Sequence, residues 1–145
     1  MPSPILQPFR PLRLGTAVLI AALVAQWPIA AAGADERSEL AAAFKLASAQ
    51  YQAALKALET RGREETAAEV HRLREAFQAV IQKVDANRTA LGLDPEYDGM
   101  LMQLDVSMVG VMLVIDFGSR EAARDALAPI GQSLAELEAR AVRHE

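Results

Sequence analysis

Between Tyr97 and Phe117 the chain reads YDGMLMQLDVSMVGVMLVIDF, and after Gly99 its only clearly polar side chains are Gln103, Asp105, Ser107 and Asp116. Asp94-Pro95-Glu96 ahead of it is a helix start: an acceptor for free N–H groups, a proline suited to the first helical position, and an acid that complements the positive helix end. Gly118 is expected to supply a left-handed stop. The bounds enclose about 23 residues, roughly 35 Å of helix at ~1.5 Å per residue. A strand, typically about 5 or 6 residues, is excluded. A helix apolar on almost every side must be wrapped by other helices, a second subunit or lipid. Asp105 within the run, and Asp98 and Asp116 at its ends, oppose a membrane span. The stretch is therefore expected to be the most buried helix of a water-soluble bundle, without stable membrane insertion.

What precedes it points to export. Residues 1–34 contain no acid and two arginines, Arg10 and Arg13, followed by LGTAVLIAALVAQWPIAAAGA. A basic start, a short apolar core, Pro28 as a helix breaker and then small residues match a secretory signal peptide. Cleavage is expected after Ala32 or Ala34, and no cysteine follows that would make a lipoprotein anchor. The mature chain, 35–145, is expected to be periplasmic or secreted.

Removing 34 of 145 residues leaves 111, enough for one domain. All 19 acids lie in that part, while the 15 bases lose Arg10 and Arg13, so its net charge is −6 with histidine neutral. Such a surface disfavours nucleic acid and anionic lipid, which require basic patches. Cysteine is absent, which excludes disulfides, thiolate metal sites, thiol catalysis and covalent c-type haem.

Four helices are expected, over 38–61, 64–91, 95–117 and 119–143. In the first, Leu40, Phe44, Ala47, Tyr51, Ala54 and Leu58 step by four and three, the seam spacing of bundle helices. Val70, Leu73, Phe77, Val80 and Val84 repeat the pattern, and so do Ala123, Leu127, Ile130, Leu134, Leu137 and Ala141. Arg61-Gly62-Arg63 and Gly118-Ser119 are short connections, with Ser119 an N-cap; Gly92 ends the second helix, and 87–94 holds the longest loop. Pro129 lacks a donor for the Asp125 carbonyl, so a kink or break near Ala128 is expected. The fold class is all-α, an antiparallel up-down-up-down four-helix bundle preceded by a signal peptide.

The order of these pieces resembles the exported four-helix cytochromes of the c-prime and soluble b-type kind. In the c-prime family the last helix carries the haem motif CxxCH after a stretch like AARDALAPIGQSLAELEARAVR. Leu134, Leu137 and Glu138 stand at the motif's two cysteines and histidine here. The b-type relatives hold haem with a first-helix methionine and a late histidine. This chain has no methionine between Asp35 and Gly99, and its late histidine is His144, next to the terminus. The resemblance thus implies a haem-free bundle, with no haem ligands carried over; noncovalent haem binding and electron transfer remain its alternative function.

Met100, Met108 and Met112, with Asp105 one turn before Met108, form a thioether-rich set suited to Cu(I), and methionine equally fills irregular core space. Asp105 on so apolar a helix needs an Arg or Lys partner, a cation, water, or a place on a solvent strip with Asp98, Met102 and Val109. Gly110, with Val109 beside it and Leu113 three residues on, is a place for close approach of another helix, hence an interface for a homodimer or a periplasmic protein partner. His71 is expected to be partly exposed. No nucleophile elbow, phosphate loop or Glu-x-x-His pair occurs, so the chain is read as non-enzymatic, acting by self-association or by binding a protein or a small apolar ligand.

Overall fold

Alanine-rich sequence with 3–4 apolar spacing gives α-helix throughout. In a computed structural model describing residues 15–142, with side chains from 34 to 141, all regular structure is helical. The elements are α1 (Gly15–Thr60), α2 (Arg63–Ala86), the single turn α3 (Arg88–Leu91), α4 (Pro95–Phe117) and α5 (Arg120–Val142). The chain divides into two compact units, Met1–Ala31 and Ala32–Glu145. Arg10, Arg13, the side chains of Ala30 and Ala32, and His144 lie outside the described residues, and with them most of the expected export signal.

Two boundaries and one cap conformation differ from the sequence reading. The first helix starts at Gly15 rather than at Ser38, running through Pro28 and Gly33. Alanines at 30–32, 34 and 41–43 leave no strong stop, and their helix propensity carries the assignment through. The second helix ends at Ala86, where the N–H of Asn87 still reaches the carbonyls of Lys83 and Val84. One further turn, α3, follows before Gly92 closes it at φ 62°, a conformation that needs glycine. Gly118 is extended, φ −99° and ψ −174°, not left-handed. It donates to the Val114 carbonyl at 2.7 Å.

Other signals are realised as read. Asp94 Oδ1 accepts from the Tyr97 N–H at 2.9 Å with Pro95 in the first turn, and Ser119 Oγ accepts from the Ala122 N–H at 3.1 Å. α5 is one continuous helix through Pro129, so of the expected kink or break the break is absent. A single missing donor at Asp125 is tolerated because Leu127, Ile130 and Leu134 on either side are buried.

Within the second unit the four long helices bring their seams into one core. Val70, Leu73, Phe77, Val80 and Val84 of α2 are fully buried, and Leu40, Phe44, Ala47, Ala54 and Leu58 of α1 meet them. α4 packs against both α2 and α5. α1 reaches α5 through Tyr51, whose ring lies over Gly131; a Cβ built there would stand 2.4 Å from Tyr51 Cε1. That glycine is therefore the socket for an aromatic ring. Around the core, Lys83 of α2 meets Glu39 of α1 at 2.6 Å, and Arg88 of α3 binds Asp85 of α2 at 2.8 Å and also Asp98 of α4.

Candidate interaction face

α4 carries two seams where an ordinary bundle helix carries one. Its inner seam is Tyr97, Leu101, Leu104, Met108, Val111 and Ile115, each at most 3% exposed. The Tyr97 hydroxyl donates to the Leu137 carbonyl of α5 at 2.9 Å. Burial, together with the charge of Glu138, pushes that phenol well above its ordinary value. Burial pushes the Tyr51 phenol up as well, opposed by the Gly131 backbone.

The outer seam is Met102 (69% exposed), Val106 (69%), Val109 (38%), Leu113 (56%) and Phe117 (85%). Steps of four and three keep these side chains on one stripe along the helix. α2 and α5 cover the opposite side. A contiguous apolar stripe is more informative than the same side chains scattered singly over a surface. Gly99 and Gly110 stand beside it, and a Cβ built on either would have nothing within 4 Å. Neither glycine is required by packing among the described residues. Next to Gly110 a shallow groove of about 350 Å³ opens between α4 and α5, walled by Ser107 and Val114 on one side and by Ala126, Pro129 and Ser133 on the other.

The residues expected at an interface, Val109, Gly110 and Leu113, all lie on this exposed face. Sequence reasoning missed Val106 and Phe117 as members of the stripe, and the signal was present: 102, 106, 109, 113 is a second four-three-four series on the same helix. α4 is also long and apolar enough to cross a membrane by length and composition. Its six inner residues are nevertheless committed to the core of the second unit.

The three methionines of the thioether set sit in unlike surroundings. Met108 is wholly buried, and Met100 and Met112 are half-buried against the core. Met100 Sδ accepts from Arg140 Nη1 at 3.0 Å. Asp105 is bound by Arg74 of α2, Nε to Oδ1 at 3.1 Å and Nη2 to Oδ2 at 3.3 Å, so the partner is an arginine. That hydrogen-bonded pairing holds the Arg74 guanidinium above its usual value. Among the described residues no group of three or more His, Asp or Glu side chains is placed to hold a metal ion. His71 is exposed on α2, 3.4 Å from Glu75.

Among the described residues, none of the positions that the resemblance points to offers a haem ligand. Leu134 and Leu137, at the positions where the c-prime resemblance would put cysteines, are buried core side chains, and His71 faces solvent. Comparison with protein-family models, with curated proteins and with solved structures gives no match.

Proposed function

We propose that the mature chain is an exported, haem-free antiparallel four-helix bundle, without enzymatic activity, that pairs with a second copy of itself through the outer face of α4. The observation that carries this reading is the exposed stripe Met102, Val106, Val109, Leu113 and Phe117. Leaving so much contiguous apolar surface in water is unfavourable by roughly 25 cal/mol per Å², and covering it provides the driving force for association.

The spacing favours self-pairing. Positions 102, 106, 109 and 113 read four-three-four in either direction, so an antiparallel two-fold contact sets Met102 against Leu113 of the second copy and Val106 against its Val109. Gly99 and Gly110 bear no side chain to hold the two helices apart. The acidic surface and the lack of cysteine, phosphate loop or nucleophile motif agree with an interaction protein rather than a catalyst.

The chain's lack of cysteine permits a direct test. Chains carrying Val106→Cys are mixed with chains carrying Val109→Cys and oxidised. The reading expects covalent dimers from the mixture and none from Leu113→Cys alone, whose two copies stand far apart in an antiparallel pair. Monomers throughout would end it, and cross-linking by Leu113→Cys alone would replace the antiparallel arrangement with a parallel one.

A further inference from the structure

A second opening lies at one end of the second unit, where the α1–α2 and α4–α5 turns meet. The two turns are stitched by arginines. Arg63 of α2 donates through Nη1 to the Asp116 carbonyl at 2.9 Å and through Nη2 to the Gly118 carbonyl at 3.0 Å, while Arg120 Nη2 donates to the Arg61 carbonyl at 3.1 Å. Between them is a cleft of about 240 Å³ with Arg61, Arg63 and Arg120 at its rim and Leu58, Ile115 and Ala123 forming its floor.

What sets the cleft apart is that it gathers three unpaired guanidinium groups at one opening, whereas Arg37, Lys45, Lys56 and Arg124, also outside any ion pair among the described residues, line no part of it. Arg72, Arg74, Lys83, Arg88 and Arg140 each face a carboxylate. Arg61, Arg63 and Arg120 form no ion pair among the described residues, and no carboxylate lines the cleft. Asp116, Glu64 and Glu65 belong to the same turns, but their side chains are not part of its wall; Glu65 Oε2 lies against Gly62. Carbonyl oxygens use some guanidinium N–H groups without cancelling the positive charge. The floor, by contrast, is aliphatic.

From this combination we infer that the cleft binds a small organic anion: a carboxylate held by the arginine rim, carried on a short apolar body that rests on Leu58, Ile115 and Ala123. Guanidinium forks match carboxylate geometry and retain their charge at all physiological pH values. The apolar floor selects against a bare inorganic anion, and the rim selects against a neutral molecule of the same length.

The test uses protein purified after expression of the full chain, titrated with hexanoate, hexanol and inorganic phosphate while backbone amide resonances are followed. Saturable shifts confined to 58–66 and 115–123 are expected for hexanoate, with binding about tenfold weaker or more for the other two probes. Arg61→Gln, whose side chain holds no backbone carbonyl, and Arg120→Gln are each expected to weaken hexanoate severalfold with unchanged helicity. Absence of saturable shifts, equal binding of phosphate or hexanol, or unaltered affinity in Arg61→Gln would each overturn the inference.

Discussion

The guanidinium of Arg74 on α2 closes on the carboxylate of Asp105 on α4 through two N–H···O contacts of 3.1 and 3.3 Å. This pair ties α4 to α2, on the helix whose stripe from Met102 to Phe117 faces outward. Both side chains remain partly exposed, so the pair contributes little to stability.

Breaking that pair tests its role. Asp105→Asn is expected to lower Tm by only a few degrees in dilute buffer, and the difference from wild type is expected to shrink in high salt as the charges are screened. Thermal unfolding followed by circular dichroism at two ionic strengths checks both parts. A large, salt-independent loss would show instead that Asp105 is an essential core contact.

The glycines of α4 and α5 are expected to respond in opposite ways. Gly131→Ala drives a Cβ into the Tyr51 ring, so it is expected to destabilise by about 1–3 kcal/mol, with partial recovery when Tyr51→Leu removes the clash. Gly110→Ala meets nothing among the described residues and gains about 0.5–1 kcal/mol of helix propensity. If Gly110 is where a second copy approaches, the same substitution weakens association while raising the stability of the monomer. Denaturant titration together with sedimentation separates the two effects.

Alkaline pH is expected to destabilise the fold. The Tyr97 phenol is raised by burial, so the folded state holds its proton where the unfolded chain, titrating near ~10, has released it. The unfolded state then binds fewer protons, and stability falls as pH rises from about 10 to 12, by up to ~1.4 kcal/mol per pH unit for one such group. Below pH 10 this contribution is fully present. Tyr97→Phe forfeits the bond to the Leu137 carbonyl, at about 0.5–1.5 kcal/mol, and flattens the alkaline limb; the smaller share of Tyr51 remains. Urea unfolding at a series of pH values from 8 to 12 reads the slope.

How much of this was legible in the sequence differs from helix to helix. On α2 and α5 polar and apolar residues segregate, so Val70, Phe77, Leu127 and Leu134 announce the buried side by spacing alone, and all are buried. The Asp94-Pro95 start and the Ser119 cap are local chemistry and read directly. α4 is different because it is apolar all round. No single-helix pattern distinguishes Leu104, which is buried, from Val106, which is exposed; packing against α2 and α5 makes that choice. Gly118 illustrates the same limit, since its backbone is set by the crossing of two turns under Arg63 rather than by helix termination alone. The arginine cleft was not legible either, because Arg61, Arg63 and Arg120 are joined only by the fold.

The central claim is that the outward stripe of α4 is covered by a second copy, and sedimentation equilibrium of the purified protein, beside its Val106→Glu variant, tests it most directly. The account predicts a wild-type dimer and a monomeric, fully helical variant, since Val106 is 69% exposed and glutamate there disturbs no packing within the chain. A wild-type protein that stays monomeric up to its solubility limit, or a dimer that persists unchanged in Val106→Glu, would contradict it.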